Sequence, residues 1–221
     1  MEHIIKGSPS FAYVEATLEP GERIVSESDA MATMAAELDL KARFNGGLLS
    51  AICKKVFGGE SWFVSEYSNK TEKPLHLTLT QSTPGDIKVF DLSEDKGICL
   101  QPGAYICSTS NILLKTRWAG FASGIAREGF FKLFAKGSGQ LWFGAYGGIV
   151  EKKIDGEYIV DTAHLVAYEP QMKLKLQMAG GIFSSIFGGE GLVTRVEGVG
   201  RIWIQTRSLS GLAGWLNPRL R

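Results

Sequence analysis

The chain has 221 residues, of which 44% are hydrophobic and 21% are charged, and its formal net charge is +1. This composition is that of an ordinary globular protein, and it lacks the basic surplus of a dedicated nucleic-acid binder. The 27 glycines and 7 prolines suit many short strands joined by tight turns. We therefore expect an all-β chain for which nucleic acid is not an expected partner.

Alternating apolar residues and turn residues predict strands from the start of the chain. Residues 11–18 form the first predicted strand and residues 23–30 the second, joined by a Pro20-Gly21 turn. The composition of residues 31–44 favours helix by propensity. Segments later in the chain that correspond to residues 31–44 nevertheless look like strands, so we predict strand there as well.

Residues 75–80 and residues 87–90 are predicted to form two strands that pair with each other. Residues 75–80 alternate apolar side chains with His and Thr, which predicts a half-buried strand. A turn containing Pro84 and Gly85 joins them to residues 87–90. We predict that these two strands form a hairpin-like pair.

A glycine followed three residues later by a tryptophan that opens a strand occurs three times. Upstream of each copy, another glycine precedes a second strand, at Gly21, Gly103 and Gly156. The tryptophan block and the upstream glycine block occur in the same order in all three copies. This agreement predicts three tandem β units around a pseudo-threefold axis, with bounds 1–85, 86–150 and 151–221. The tryptophan blocks are Gly59-Glu60-Ser61-Trp62, Gly139-Gln140-Leu141-Trp142 and Gly200-Arg201-Ile202-Trp203.

A glycine-flanked apolar segment lies between the two blocks of each unit. Leu48, Leu49, Ile52 and Val56 share one face at helical spacing, so we predict a short helix or helical turn in each insert. The phenylalanines of these inserts either cap the open ends of the β units or contact a membrane surface, a partner or another subunit. The candidates for this surface are Phe57, Phe121, Phe130, Phe131, Phe134, Phe183 and Phe187.

No catalytic motif or metal-binding spacing is present in the sequence, so we expect neither enzymatic activity nor a cofactor. The repeat places Asp29, Asn111 and His164 at corresponding positions, where they would line a shared axis and bind a small ligand. The alternative is that each side chain bonds nearby backbone groups, as Asp, Asn and His often do.

Three features together resemble a known family: the L-x-P-G turns, Phe57-Gly58-Gly59-Glu60-Ser61-Trp62-Phe63, and Gly198-Val199-Gly200-Arg201. The chain resembles, over nearly its whole length, the "altered inheritance of mitochondria" family of uncharacterised proteins. The resemblance implies three repeats like the tryptophan RNA-binding attenuator protein, each a short double-stranded β-helix. Mitochondrial relatives are linked to inner-membrane organisation, whereas the bacterial ones, which this chain resembles in lacking a transit peptide, have no settled role. The resemblance implies no catalytic residue for this chain.

Two hypotheses of function follow. The first is a non-enzymatic binding or scaffolding protein that uses the Phe-rich inserts for partner, self or membrane-surface contact. The alternative is a small-ligand-binding protein with polar groups near the pseudo-threefold axis. The chain has three cysteines, which cannot all be paired and form no C-x-x-C motif, so we expect reduced thiols. Residues 1–6 also contain no signal-peptide segment. Together these features predict a cytoplasmic location.

Overall fold

A computed structural model describes residues 1–44, 63–101, 103–118, 131–178 and 192–220. Most of these residues are in strands, and they include one short α-helix, α1, at Leu209–Leu216. The predicted all-β class is therefore confirmed, whereas the predicted helical inserts lie largely outside the described residues. The strands are β1 Glu2–Lys6, β2 Tyr13–Leu18, β3 Arg23–Glu27, β4 Met31–Met34, β5 Asp39–Phe44, β6 Phe63–Ser68, β7 Leu75–Thr80, β8 Ile87–Leu92, β9 Ile98–Leu100, β10 Tyr105–Thr109, β11 Ile112–Trp118, β12 Phe131–Gly137, β13 Gly139–Gly144, β14 Ile149–Asp161, β15 Leu165–Tyr168, β16 Lys173–Met178 and β17 Leu192–Gln205.

The strands form because apolar residues alternate with polar ones. In β2 and β7 every second residue is buried, which is the period of a strand with one face on the core. Residues 31–44 also form strands, β4 and β5, so tertiary pairing overrides the helical propensity of that segment. The predicted pairing of residues 75–80 with residues 87–90 is wrong, because β7 pairs with β2 and β4, whereas β8 pairs with β13.

One pairing pattern of six strand segments occurs three times among the described residues. In each set the first strand pairs with the sixth, the sixth with the third, the fifth with the fourth, and the fifth with the second. In the third set, glycines divide β14 near Gly156 and β17 near Gly198, so that each long strand supplies two segments. Set 1 is β2 to β7, set 2 is β8 to β13, and set 3 is β14 (two halves), β15, β16 and β17 (two halves).

A shared irregularity fixes which residues correspond between the sets. The third strand of each set carries a one-residue bulge against the sixth strand. The bulges lie between Met31 and Thr33, between Tyr105 and Cys107, and between Leu165 and Ala167. Met31, Tyr105 and Leu165 are therefore structurally equivalent, and so are Thr33, Cys107 and Ala167. The bounds of the three predicted units stay a prediction.

Consecutive sets are joined edge to edge, third strand to second strand. In the first joint β10 of set 2 pairs with β3 of set 1, with Ser108 opposite Val25. In the second joint β15 of set 3 pairs with β9 of set 2, with Tyr168 opposite Cys99. Ser108 and Tyr168 occupy the same position after the bulge, so the two joints share one register.

The tryptophan repeat is placed differently from the prediction. Trp142 and Trp203 lie opposite Cys107 and Ala167 on the sixth strands of their sets, and both are buried. The residue of set 1 at this position is Thr78, opposite Thr33. Trp62 lies outside the described residues, directly before β6, which is a fifth strand. The predicted equivalence of Trp62 with the other two tryptophans is therefore wrong.

Candidate functional site

The third strand of set 1, β4, is exposed where its counterparts are buried. Met31 is 39% exposed, whereas the equivalent Tyr105 and Leu165 are 0% and 3% exposed. Thr33 is exposed as well, although the equivalent Cys107 and Ala167 are fully buried. Within the described ranges β4 pairs with β7 alone, so its outer side has no strand partner. We call this side the β4 edge.

The second strand of set 3, residues 157–161, presents the matching half of a joint. This half of β14 pairs with β17 and with no other strand of the described chain. Ile159 on it is 54% exposed, and Tyr158 beside it is also exposed. The equivalent second strands, β3 and β9, are both covered by the third strand of the following set. We call the uncovered side the β14 edge.

Backbone direction shows which groups the β4 edge offers. Ala35 donates its N–H inward to the His76 carbonyl, 2.9 Å away, and Glu169 likewise donates to Arg201 at 3.0 Å. Because hydrogen-bonding direction alternates along an antiparallel strand, Met34 and its equivalent Tyr168 direct their N–H and C=O groups outward. In Tyr168 these groups face β9, whereas in Met34 no described strand lies opposite them on the β4 edge.

The completed joints are buried and hydrogen-bonded. The Tyr105 hydroxyl lies 3.0 Å from the Val25 carbonyl across the first joint, to which it donates, and 3.0 Å from the Ser108 hydroxyl. Burial raises the pKa of Tyr105 and of the Cys107 thiol well above their ordinary values, so both stay protonated at neutral pH. Beside the second joint, the Glu169 carboxylate accepts hydrogen bonds from the Arg201 backbone and side chain, each at 2.9 Å.

The three predicted ligand-binding residues do not share one structural position. Asp29 lies in the β3–β4 turn with a φ of 67°, and the second set has Gly103, with a φ of 78°, before its third strand. Asn111 lies in the turn between β10 and β11, a different connection of its set. His164 ends a 3-10 turn and donates from Nδ1 to the Gln205 carbonyl, 2.7 Å away. Their equivalence is wrong for Asn111, and also for His164, because the aligned bulges match Asp29 with Ala163. Binding of a ligand stays a prediction.

Most of the predicted aromatic surface is not described. Phe131 lies in β12, and nothing is described of its side chain. Phe134 is partly buried and packs against the core cluster of set 3, so it contributes to packing here. The predicted surface residues outside the described ranges are Phe57, Phe121, Phe130, Phe183 and Phe187.

Two hollows lie along the bend of β14, beside the β14 edge. Lys153 and Asp155 line both of them, and Tyr158 lines one. No three His, Cys, Asp or Glu side chains of the described ranges are grouped as metal ligands would be. None of the described helices has the length and apolar character needed to cross a membrane.

The residues of the two edges were not predicted from the sequence. The signal was nevertheless present, because six residues separate Leu18 from Ile24, Leu92 from Ile98, and Ile154 from Val160. All of these residues are buried. This spacing aligns the first and second strands of the three sets, and it would have identified β9 as the second strand of set 2.

Comparison with known proteins identifies relatives. The chain is 28% identical over 229 residues to an uncharacterised protein of Streptococcus pyogenes serotype M6, covering 100% of this chain and 91% of that protein. It also resembles the crystal structure of a Streptococcus pyogenes structural-genomics target, with 28% identity, a TM-score of 0.80 and 99% coverage of both chains. Residues 3–207 match the family described as Mitochondrial biogenesis AIM24. The chain therefore belongs to the mitochondrial biogenesis AIM24 family.

Proposed function

We propose that this protein is a non-enzymatic binding or scaffolding protein that engages its partner by strand addition at the β4 and β14 edges. The observation that carries this proposal is the exposure of Met31 and Thr33, whose equivalents are buried in the two completed joints. An open strand edge binds an incoming backbone through its unused N–H and C=O groups.

The edges differ from the remaining strand edges of the molecule. The fourth strands, β5, β11 and β16, lack an outer partner in all three sets as far as the described residues extend. Because the fourth strand has no described outer partner in any of the three sets, its open side does not distinguish one set from another. The first strands β8 and β14 (residues 149–155) also have no outer partner among the described residues, although β1, which belongs to no set, covers their counterpart β2. The β4 and β14 edges differ from these because another set of the same chain covers their counterparts by third-to-second strand pairing, which supports a binding role for them in particular.

The test compares one edge variant with one matched control. Thr33→Asp places a charge on the β4 edge, at the position of the fully buried Cys107 and Ala167. Leu113→Asp places the same charge on β11, where Leu113 is 58% exposed and no equivalent strand is covered in the described chain. Both changes are at exposed positions, so urea denaturation should show both variants folded, within about 1 kcal/mol of the native chain.

The readout is in-cell crosslinking of the epitope-tagged chain in its source organism, followed by quantification of the captured polypeptides, copies of the chain included. We expect the native chain and Leu113→Asp to capture the same polypeptides, and Thr33→Asp to lose at least one of them. An empty captured set, or the same set for all three proteins, would overturn the proposal.

A second candidate function is contact with a membrane surface through α1. This helix buries none of its residues, and Leu209, Leu212 and Trp215 are exposed along it. The Arg219 guanidinium lies 4.4 Å from the Trp215 ring centroid, so a cation lies beside the aromatic group. An exposed apolar helix with a cation next to it is a candidate for contact with anionic bilayers. Flotation with anionic and with neutral vesicles tests this, because deletion of residues 208–221 should abolish binding that only the anionic vesicles support.

We also propose a cytoplasmic location. The support is that the Cys107 thiol is buried and forms no disulfide. Disulfides persist in oxidising compartments, whereas reducing compartments maintain free thiols. Fractionation of the source cells, with the tagged chain followed by immunoblot, tests this location. Recovery in the membrane or extracellular fraction would contradict it.

A further inference from the structure

We infer that the occupant of the β4 edge is the β14 edge of a second copy of this chain. The inference rests on the proposed function and names its partner. The chain forms the same third-to-second strand joint twice within itself, and it leaves the two halves of a third joint uncovered at its opposite ends. A second copy supplies the missing half of each, whereas an unrelated peptide would supply only a backbone.

The internal joints predict the register of the intermolecular one. Ser108 lies opposite Val25 in the first joint, and Tyr168 lies opposite Cys99 in the second. The equivalents of Val25 and Cys99 on the β14 edge follow from the six-residue spacing, because Val160 corresponds to Ile24 and Ile98. Met34 of one copy therefore lies opposite Asp161 of the other.

The hydrophobic core of set 3 also lacks residues that a following set contributes to the cores of sets 1 and 2. Among the described residues, the third core cluster has 8 buried members, whereas the first and second have 15 each. The larger clusters include third-strand residues of the following set: Ile106 and Cys107 in the first, Val166 and Ala167 in the second. No further set covers set 3 among the described residues, so its cluster lacks that contribution.

The arrangement is head to tail, because the two contacting surfaces differ. Each copy uses its β4 edge on one side and its β14 edge on the other, so one contact leaves both complementary edges free at the ends of the pair. Repetition closes a ring or extends a filament, depending on the rotation per copy. Contact by symmetric pairing of two β4 edges is a different arrangement, and the experiment must separate the two.

Cysteine crosslinking separates them. One protein carries Met34→Cys and the other Asp161→Cys, both in a Cys53→Ser background, since the remaining native thiols are buried. Directly opposed residues of an antiparallel pair have Cα atoms about 5.5 Å apart, within the range that a disulfide spans. Mild oxidation of the mixture should give a disulfide-linked heterodimer, at least about tenfold more abundant than dimers of either protein alone.

A register control replaces Asp161→Cys by Glu157→Cys, which is four positions away along the same strand. Mixed with the Met34→Cys protein, it should give no more dimer than a single protein alone. Equal crosslinking at both positions, no heterodimer in the first mixture, or Met34→Cys dimers alone would each overturn the inference.

A second measurement does not depend on cysteines. The sedimentation coefficient of the purified native chain should rise with concentration, and Thr33→Asp should remove the rise while Leu113→Asp keeps it. A chain that sediments as a monomer at every concentration contradicts self-association. If the in-cell captures still depend on Thr33, the proposed function stands with another protein as partner, and if they do not, both proposals fail.

Discussion

The contrast between Met31 and Leu165 gives a quantitative test of the open β4 edge. Both residues occupy the position before the bulge of a third strand, opposite Leu79 and Ile204 respectively. Leu165 is 3% exposed and belongs to the third core cluster, whereas Met31 is 39% exposed. Truncation of each to alanine removes a similar amount of side chain from equivalent positions, so the difference in cost reports the difference in environment.

The magnitudes follow from burial. Leu165→Ala loses the transfer free energy of a buried leucine and leaves a cavity, which together cost about 2–5 kcal/mol. Met31→Ala leaves no closed cavity, because solvent reaches the site, and we expect a loss of about 1 kcal/mol. For a chain of this size about 2–4 °C of Tm corresponds to 1 kcal/mol, so Leu165→Ala should lower Tm by about 4–20 °C and Met31→Ala by no more than about 4 °C.

The assay is urea denaturation of dilute protein, followed by tryptophan fluorescence and by circular dichroism. Coincident transitions and an unchanged m-value are required before the two free energies of unfolding are compared. Dilution matters because association through β4 would bury Met31. Equal losses for the two variants in dilute solution would show that β4 is as buried as β15, and the argument for an open edge would then be refuted.

Three further predictions concern groups beside the joints and the C-terminal helix. Tyr105→Phe removes the hydrogen bond to the Val25 carbonyl and should cost about 0.5–1.5 kcal/mol in urea denaturation, because the partly buried carbonyl loses that donor. Burial alone would raise the pKa of Glu169, but hydrogen bonds from Arg201 lower it below the ordinary 4.5. The resulting stability is present above pH 4.5 and is lost as the pH falls through the lowered value, so the deficit of Glu169→Gln should be seen at neutral pH and shrink in acid. Deletion of residues 208–221 should change the free energy of unfolding by less than about 1 kcal/mol, since α1 buries no residue.

The fold class was predictable from the sequence because strand period and turn residues are local signals. The alternation in β2 and β7 is a two-residue pattern that needs no knowledge of neighbours. The strand prediction for residues 31–44 is also confirmed, because it weighs the later segments of the chain above helical propensity. The pairing partner of β7 is not a local property: the turn with Pro84 and Gly85 predicts a hairpin, but the two strands that it joins belong to different sheets.

The alignment of the three sets failed at β9. This strand has three residues, Ile98, Cys99 and Leu100, too few to show alternation, and all are buried. Without β9, the repeat matches Gly103, which precedes a third strand, with Gly21, which precedes a second strand. That shift by one strand made Asn111 seem equivalent to Asp29.

The tryptophan pattern misled for a physical reason that also bears on assembly. Trp142 packs into the core cluster of set 1, and Trp203 into that of set 2, so each fills the core of the preceding set. Set 1 has no preceding set within the chain, and its equivalent residue is the small, polar Thr78.

A joint made by β4 with a second copy would therefore rest on backbone hydrogen bonds and on the side chains of β4, without a buried tryptophan. Because burying an aromatic side chain is worth several times one net hydrogen bond, the intermolecular joint must be weaker than the internal ones. The sequence difference at this one position thus makes the internal stack permanent and its extension to another copy reversible.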